Sequence, residues 1–265
     1  MSYIYRPKGR AREYSPLALN IYGGGCDHAC KYCYCSGVLH GQWGTEAKQR
    51  NMCLSALRRE ARKASEQILL SFIADPYCSA ELMYGNTKDA LTVLRDEGCS
   101  VAILTKGGKR CLRDLGLFSS WPDGRIKTGA TLTFLSESKS LQYEPGAAVP
   151  DDRLQALKDL HEAGVKTWVS IEPVIDPSES LAVIKASLPF TDSYKIGRWN
   201  HDSRSESTDW AAFACAAVSL MRDSGKRFYI KDGLRSFLPE GFLTAEESCP
   251  DSLCLPCRPE GWRKI

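Results

Sequence analysis

The chain has no apolar run approaching the roughly 20 residues that span a bilayer as a helix. It also has no N-terminal stretch built like a signal peptide. These absences predict a cytoplasmic protein without a membrane partner. A strong charge of one sign is missing too. The 35 Lys and Arg nearly balance 32 Asp and Glu and leave +3, which permits an anionic substrate but falls short of the basic balance of a dedicated nucleic-acid binder. No internal repeat or low-complexity tract is present. What remains is ordinary for a globular α/β chain: 265 residues with 43% apolar side chains suit one large domain, or a core domain with a small appendage.

Cysteine is the exception, with 12 in the chain. Without a secretory signal these read as reduced, metal-binding or buried thiols, not as disulfides. Cys53, Cys99, Cys111 and Cys215 lie in apolar or helical patterns and read as small core residues. Cys26, Cys30 and Cys33 are different. They form a C-x3-C-x2-C triplet in a glycine-rich segment that starts at Gly23, directly after the apolar run 17–22. Three thiolates so spaced can hold three irons of a four-iron four-sulfur cluster and leave the fourth iron open to substrate, whereas a closed electron-transfer cluster uses four. Zinc also takes closely spaced thiolates, usually from two C-x2-C pairs. The x3 gap, the lack of a paired second half nearby and the strand-to-loop setting favour iron and sulfur.

Strand-like runs at 17–22, 68–73, 101–104, 126–133, 167–171 and 194–196 alternate with helix-like segments, which predicts a parallel sheet with crossover helices. The first helix is expected over 46–63, with Cys53, Leu57, Ala61 and Ala64 as its apolar stripe. A second is expected with Asp151 as its N-cap, Leu154, Leu157 and Leu160 inward, and Gly164 just past its end. Trp210, Phe213, Ala214, Ala217 and Met221 mark a late helix. Six strand-helix units make an α/β partial (β/α)6 barrel over 17–231, after an N-terminal extension at 1–16 and before a Cys-containing tail at 232–265. Barrel active sites lie at the C-terminal ends of the strands, where the triplet loop falls.

The triplet, with Tyr32 before its third cysteine, resembles the signature of radical S-adenosylmethionine enzymes. Further short segments resemble the spore photoproduct lyase-like branch, often labelled DNA repair photolyase-like: Asn20-Ile21-Tyr22, Asp75-Pro76-Tyr77, Thr105-Lys106, Tyr143-Glu144-Pro145, Ile171-Glu172-Pro173 and Tyr229-Ile230-Lys231-Asp232. The resemblance implies a 4Fe-4S cluster on Cys26, Cys30 and Cys33 whose open iron chelates S-adenosyl-L-methionine. It implies an external one-electron donor of flavodoxin or ferredoxin type, and a 5'-deoxyadenosyl radical that takes hydrogen from a substrate. Tyr32, Asp75, Tyr77, Lys106 and Glu172 are the candidate cofactor contacts. Asp75 and Tyr77 would serve the amino group or line the pocket, Lys106 the carboxylate, and Glu172 ribose or adenine. Against these roles, Asp-Pro is a turn former, Lys106 precedes two glycines, and Glu-Pro can simply end a strand.

In spore photoproduct lyase a cysteine shortly after the second strand returns hydrogen to the product radical. Cys78 lies in the corresponding region and is the candidate donor, or else a buried small residue. Cys249, Cys254 and Cys257 have C-x4-C-x2-C spacing, open to an auxiliary iron-sulfur cluster, a structural zinc or no metal. The substrate implied is a DNA base or nucleotide, for lesion repair or base modification. A peptide- or small-molecule-modifying radical enzyme and a non-catalytic metal-binding module are the alternatives.

Overall fold

The computed structural model describes residues 2–39, 43–200 and 202–262. Its strands are β1 (Ile4–Tyr5), β2 (Leu17–Leu19), β3 (Tyr22–Gly23), β4 (Lys48–Gln49), β5 (Ile68–Leu70), β6 (Val101–Thr105), β7 (Ile126–Thr131), β8 (Lys166–Ile171), β9 (Ser193–Ile196) and β10 (Arg227–Ile230). Among the described residues, eight form one sheet in the order β1-β2-β5-β6-β7-β8-β9-β10. β1 runs antiparallel to β2, and every other pairing is parallel. The architecture is the expected α/β partial barrel, open rather than closed. It carries one parallel strand beyond the six expected, β10, formed by the apolar run that leads into the tail.

Helices Leu54–Ala61, Asn86–Asp96, Leu115–Ser119, Pro150–Glu162, Pro177–Ser187 and Trp210–Asp223 make the crossovers between consecutive parallel strands, as parallel pairing requires. Their apolar stripes pack on the outer face of the sheet. Ala90, Leu91, Val93 and Leu94 join one core cluster with Ile68, Leu70, Val101 and Ile103. Trp210, Phe213, Ala214, Ala217 and Met221 join a second with Val169, Ile171 and Ile196. The next residues along each strand face inward, because strand side chains alternate. Leu69, Ala102 and Trp168 form a small inner cluster with Tyr14, Phe72 and Leu104. Gly129 leaves room for the Trp168 indole, since a Cβ there would come within 2.6 Å of it.

Several expected boundaries shift; among the strands, the 68–73 run ends at Leu70 and the 126–133 run at Thr131. The first helix begins at Leu54, not at residue 46, because Lys48–Gln49 pairs with Tyr22–Gly23 as a short antiparallel ladder. Cys53 therefore caps the helix and is exposed instead of lying in the core, and Cys215 is half-buried; Cys99 and Cys111 are buried as expected. The 150–162 helix starts with Pro150 at its first position and Val149 as N-cap, so Asp151 falls inside its first turn. The 17–22 run divides at Asn20. The Asn20 carboxamide oxygen accepts from Phe72 N at 2.9 Å and Ile73 N at 3.1 Å, tying the end of β2 to the loop after β5.

Two segments fill the barrel from outside the strand-helix repeat. Residues 13–15 enter it, with Glu13 and Ser15 buried and the Tyr14 hydroxyl bonded to Ser170 at 2.9 Å and Glu172 at 2.6 Å. Residues 250–258 close the end where the parallel strands begin, opposite the cysteine triplet. There Lys195 Nζ donates to the carbonyl oxygens of Tyr14 and Pro250, each at 3.1 Å, Lys127 Nζ donates to Leu253 O, and Gln67 Oε1 accepts from Leu255 N at 3.0 Å.

Burial pulls the Lys127 ammonium down to about 8 and that of Lys195 to about 7, from 10.5. Between those values and 10.5 the unfolded chain binds protons that the folded chain has released, so stability rises with pH across the window and is lost as pH falls through the folded values. The melting temperature is expected to rise between pH 7 and pH 9, and Lys195→Met to flatten that rise. An identical slope in the variant would overturn this account.

Candidate active site

The triplet loop leaves β3 and is held from two sides. Gly24 takes a left-handed φ of +74°, and a Cβ on Gly25 would come within 2.4 Å of Glu46 O. On that side Cys26 N donates to Gly44 O at 3.2 Å, and Gly44 N to Gly24 O at 2.9 Å. This strap explains why 44–49 is not helical: the loop's backbone groups need partners, and the strap supplies them. On the other side Lys31 N donates to Tyr143 O at 2.9 Å and Gly146 N to His28 O at 3.1 Å. Gly146 sits so close that a Cβ would collide with the Asp27 carbonyl.

Cys26, Cys30 and Cys33 share this loop as free, half-buried thiols. Burial, reinforced by Asp75, pushes Cys26 up to about 12; burial, opposed by Lys106, pushes Cys30 up to about 11. Hydrogen bonding between their sulfurs lowers Cys33 and raises Cys35. Bare thiolates are thus disfavoured at two of the three positions, and the positive charge of bound metal is what would offset that cost. Among the described residues no three His, Cys, Asp or Glu side chains converge on a single metal ion, at the triplet or in the tail. A cluster asks for something else, one thiolate per iron. His28 adds a second sign of a site: it is 2% exposed, and its Nε2 has no hydrogen-bond partner.

The loops after β5 and β6 meet at Asp75. Its Oδ1 accepts from Tyr77 N at 2.8 Å and Thr105 Oγ1 at 2.6 Å, and its Oδ2 accepts from Lys106 N at 2.7 Å. His28 Nδ1 stands 3.4 Å from the same Oδ2. Asp75 therefore fixes the loop carrying Lys106 against the triplet loop. Tyr77 turns away from the triplet, whereas the Cys78 thiol stays within electrostatic reach of Asp75, Asp27 and Cys26. The Tyr77 ring is buried in the first core cluster with its hydroxyl on Asp114 at 3.0 Å. Cys78 is fully buried at the N-cap of helix Ser79–Tyr84.

Strand phase delivers the remaining candidates. Ala102, Leu104 and Lys106 fall on one face, as do Trp168, Ser170 and Glu172, so both charged residues emerge from the inner face at the barrel mouth, two strands apart. Lys106 Nζ lies 5.5 Å from the Tyr32 ring centre. Burial alone would lower its ammonium, but Cys30 and Glu144 outweigh that and the net shift is upward. Glu172 Oε2 accepts from Tyr14 and from Lys231, and Oε1 from Asn200 Nδ2 at 3.3 Å. Lys231 also stands 4.2 Å above the Tyr14 ring and 3.7 Å from Glu13.

Sequence reasoning missed the pair beneath Tyr32. Glu144 accepts the Tyr32 hydroxyl and pairs with Arg153 at 2.5 Å, and the two side chains are 0% and 1% exposed. A signal was present. Arg153 stands four residues before Leu157, on the inward face of its helix, where a charge demands a partner.

No family model matches the chain. The fold is of the kind shared by radical S-adenosylmethionine partial barrels. Superposition gives a TM-score of 0.63 with Streptococcus suis SuiB bound to S-adenosylmethionine, at 14% identity over 87% of this chain and 54% of that one. It gives 0.60 with spore photoproduct lyase complexed with dinucleoside spore photoproduct, at 14% identity over 76% and 62%. In sequence, an uncharacterized Methanocaldococcus jannaschii protein is 30% identical over 175 residues, 64% of this chain and 65% of that protein. A protein of Acidianus two-tailed virus is 26% identical over 62% and 58%. The chain thus matches somewhat less than two thirds of either relative. Among the described residues no helix is long and apolar enough to cross a membrane.

Proposed function

We propose that the chain is a radical S-adenosylmethionine enzyme whose substrate is a DNA base or nucleotide. The observation that carries the enzyme reading is the half-buried cysteine triplet on a clamped loop at the C-terminal end of a parallel sheet, with Lys106 beside Cys30. Cys26, Cys30 and Cys33 would hold a 4Fe-4S cluster. When bound, the cluster and S-adenosylmethionine supply a 5'-deoxyadenosyl radical, given an electron from a flavodoxin- or ferredoxin-type donor in a reducing cytoplasm. The chain's own part is to orient and to exclude water. Lys106 offers a cation to the cofactor carboxylate, and the Tyr32 ring beside it lines that end. Asp75 and the Tyr77 backbone hold the loop that presents Lys106. Glu172, preordered by Tyr14, Lys231 and Asn200, keeps a carboxylate at the mouth for ribose hydroxyls or the adenine amino group.

The DNA reading rests on the short segments resembling the spore photoproduct lyase-like branch, and the lyase complex of similar fold holds a dinucleoside lesion. Anaerobically reconstituted protein should form 5'-deoxyadenosine after reduction, and an oligodeoxynucleotide should increase that formation where a peptide does not. Stimulation by peptide alone would move the substrate class, and no cleavage at all would end the enzyme reading.

Cys78 remains the proposed hydrogen donor to a substrate radical. Burial and Asp75 push its thiol up to about 12, which keeps the S–H form that has a hydrogen to give. Cys78→Ala is expected to retain cofactor cleavage but to yield misdirected or solvent-quenched product; normal product at the normal rate would assign the residue to packing. For Cys249, Cys254 and Cys257, which do not converge on a single ion, we propose a second iron-sulfur cluster with one thiolate per iron, in preference to zinc. Replacing all three by Ala should lower iron per chain while the first site still cleaves cofactor; loss of zinc instead would overturn the cluster, and unchanged content of both metals would remove the proposal.

A further inference from the structure

Arg198 stands two residues beyond β9 at the barrel mouth and, among the described residues, has no carboxylate partner. Its guanidinium carbon lies 5.9 Å from the centre of the Trp210 ring and 5.4 Å from that of Phe237. Its Nε donates to Asn200 Oδ1 at 3.3 Å, and Asn200 in turn donates to Glu172. The other arginines nearby are committed. Arg204 lies over the Trp199 ring at 4.6 Å but is paired with Asp202 at 2.6 Å, and Arg235 is paired with Asp232. Arg198 alone of these three is held by ring faces and an amide, and its two Nη atoms make no hydrogen bond among the described residues.

A guanidinium already fixed in this way loses little freedom on meeting an oxyanion, and its donor fork matches phosphate geometry. The chemistry of the proposed site says where that anion comes from. S-adenosylmethionine carries one carboxylate and no phosphate, and the reading above, on which this inference rests, gives that carboxylate to Lys106. A second ordered cation, one asparagine away from Glu172, is left with no anion of the cofactor to receive. We propose that Arg198 receives a phosphate group of the substrate, so that the protein selects a nucleotide or nucleic acid over a free base or nucleoside.

The test is binding of the thymidine dinucleotide dTpT, and of its uncharged methylphosphonate analogue, to cluster-loaded protein with S-adenosylmethionine present. A charge-assisted hydrogen bond contributes about 1.5–3 kcal/mol, so the phosphodiester should bind roughly 10- to 100-fold more tightly. Arg198→Met keeps a stem against Trp210 and Phe237 and removes the charge. It should erase that preference while binding the analogue as the wild type does, and Arg198→Lys should recover part of it. A full preference in Arg198→Met would overturn the inference and leave the nucleic-acid reading standing. So would equal weakening toward both ligands together with a fall in melting temperature, which would make Arg198 a staple between Trp210 and Phe237. Wild-type protein that binds neither ligand would overturn the substrate reading, and the inference with it.

Discussion

Replacing Cys30 by Ala is expected to leave a folded chain that takes up less iron on reconstitution and forms no 5'-deoxyadenosine from S-adenosylmethionine under reducing conditions. The loop does not need the thiol to hold its shape, because its backbone is tied to Gly44, Tyr143 and Gly146 by hydrogen bonds that the substitution leaves in place. The proposed cluster would need it. With three thiolates only one iron is open, and loss of a ligand opens a second. Cys26→Ala and Cys33→Ala should behave in the same way. Cys53→Ala is the matched control, since Cys53 is exposed and lies outside the triplet loop, with its sulfur 3.2 Å from Ser55 Oγ. Retained cleavage in all three triplet variants would sink the radical assignment, whatever the fold.

The parts of the site that were legible in the sequence are those set by local spacing. The triplet announced itself, and the strand-end positions of Lys106 and Glu172 follow from the alternation of inner and outer residues along β6 and β8. Hydrogen bonding between distant segments was not legible. Residues 46–53 have helix-compatible residues, yet Lys48–Gln49 is drawn into a ladder because the triplet loop has backbone groups to satisfy. The sequence marks 250–258 as rich in Pro and Cys, but which end of the barrel it closes depends on Lys127 and Lys195, two charged residues in strands that spacing alone would place on an inner face without saying what they bind. Tyr77 illustrates the same limit. Its position beyond β5 suggested the pocket, but Asp114, 37 residues away, supplies the acceptor that turns its hydroxyl into the core.

Arg153→Leu is expected to be the most destabilising single substitution proposed for this chain, by about 3–5 kcal/mol, because it leaves the Glu144 carboxylate buried without its charged partner. For a chain of this size that is a fall of roughly 6–20 °C in melting temperature. Glu144 is poorly placed to relieve the loss by moving toward solvent. It is held at once by the hydroxyls of Tyr32, Thr133 and Ser140. Burial works against the Glu144 carboxylate, yet Arg153 and then Lys106 outweigh it and hold its pKa below the ordinary value. This contribution to stability is therefore present above the unfolded-state pKa and lost as pH falls through the folded one, and Arg153→Leu should shrink the acid limb of the stability profile. A double variant, Glu144→Leu with Arg153→Leu, removes both charges and should be less destabilised than the sum of the single changes, since each single change strands a buried ion. Strict additivity would mean that the two residues act independently. The single variant Glu144→Leu reports on function: the Tyr32 hydroxyl loses its acceptor and Lys106 loses an anion that helps to hold it charged, so S-adenosylmethionine should bind more weakly even where the fold survives.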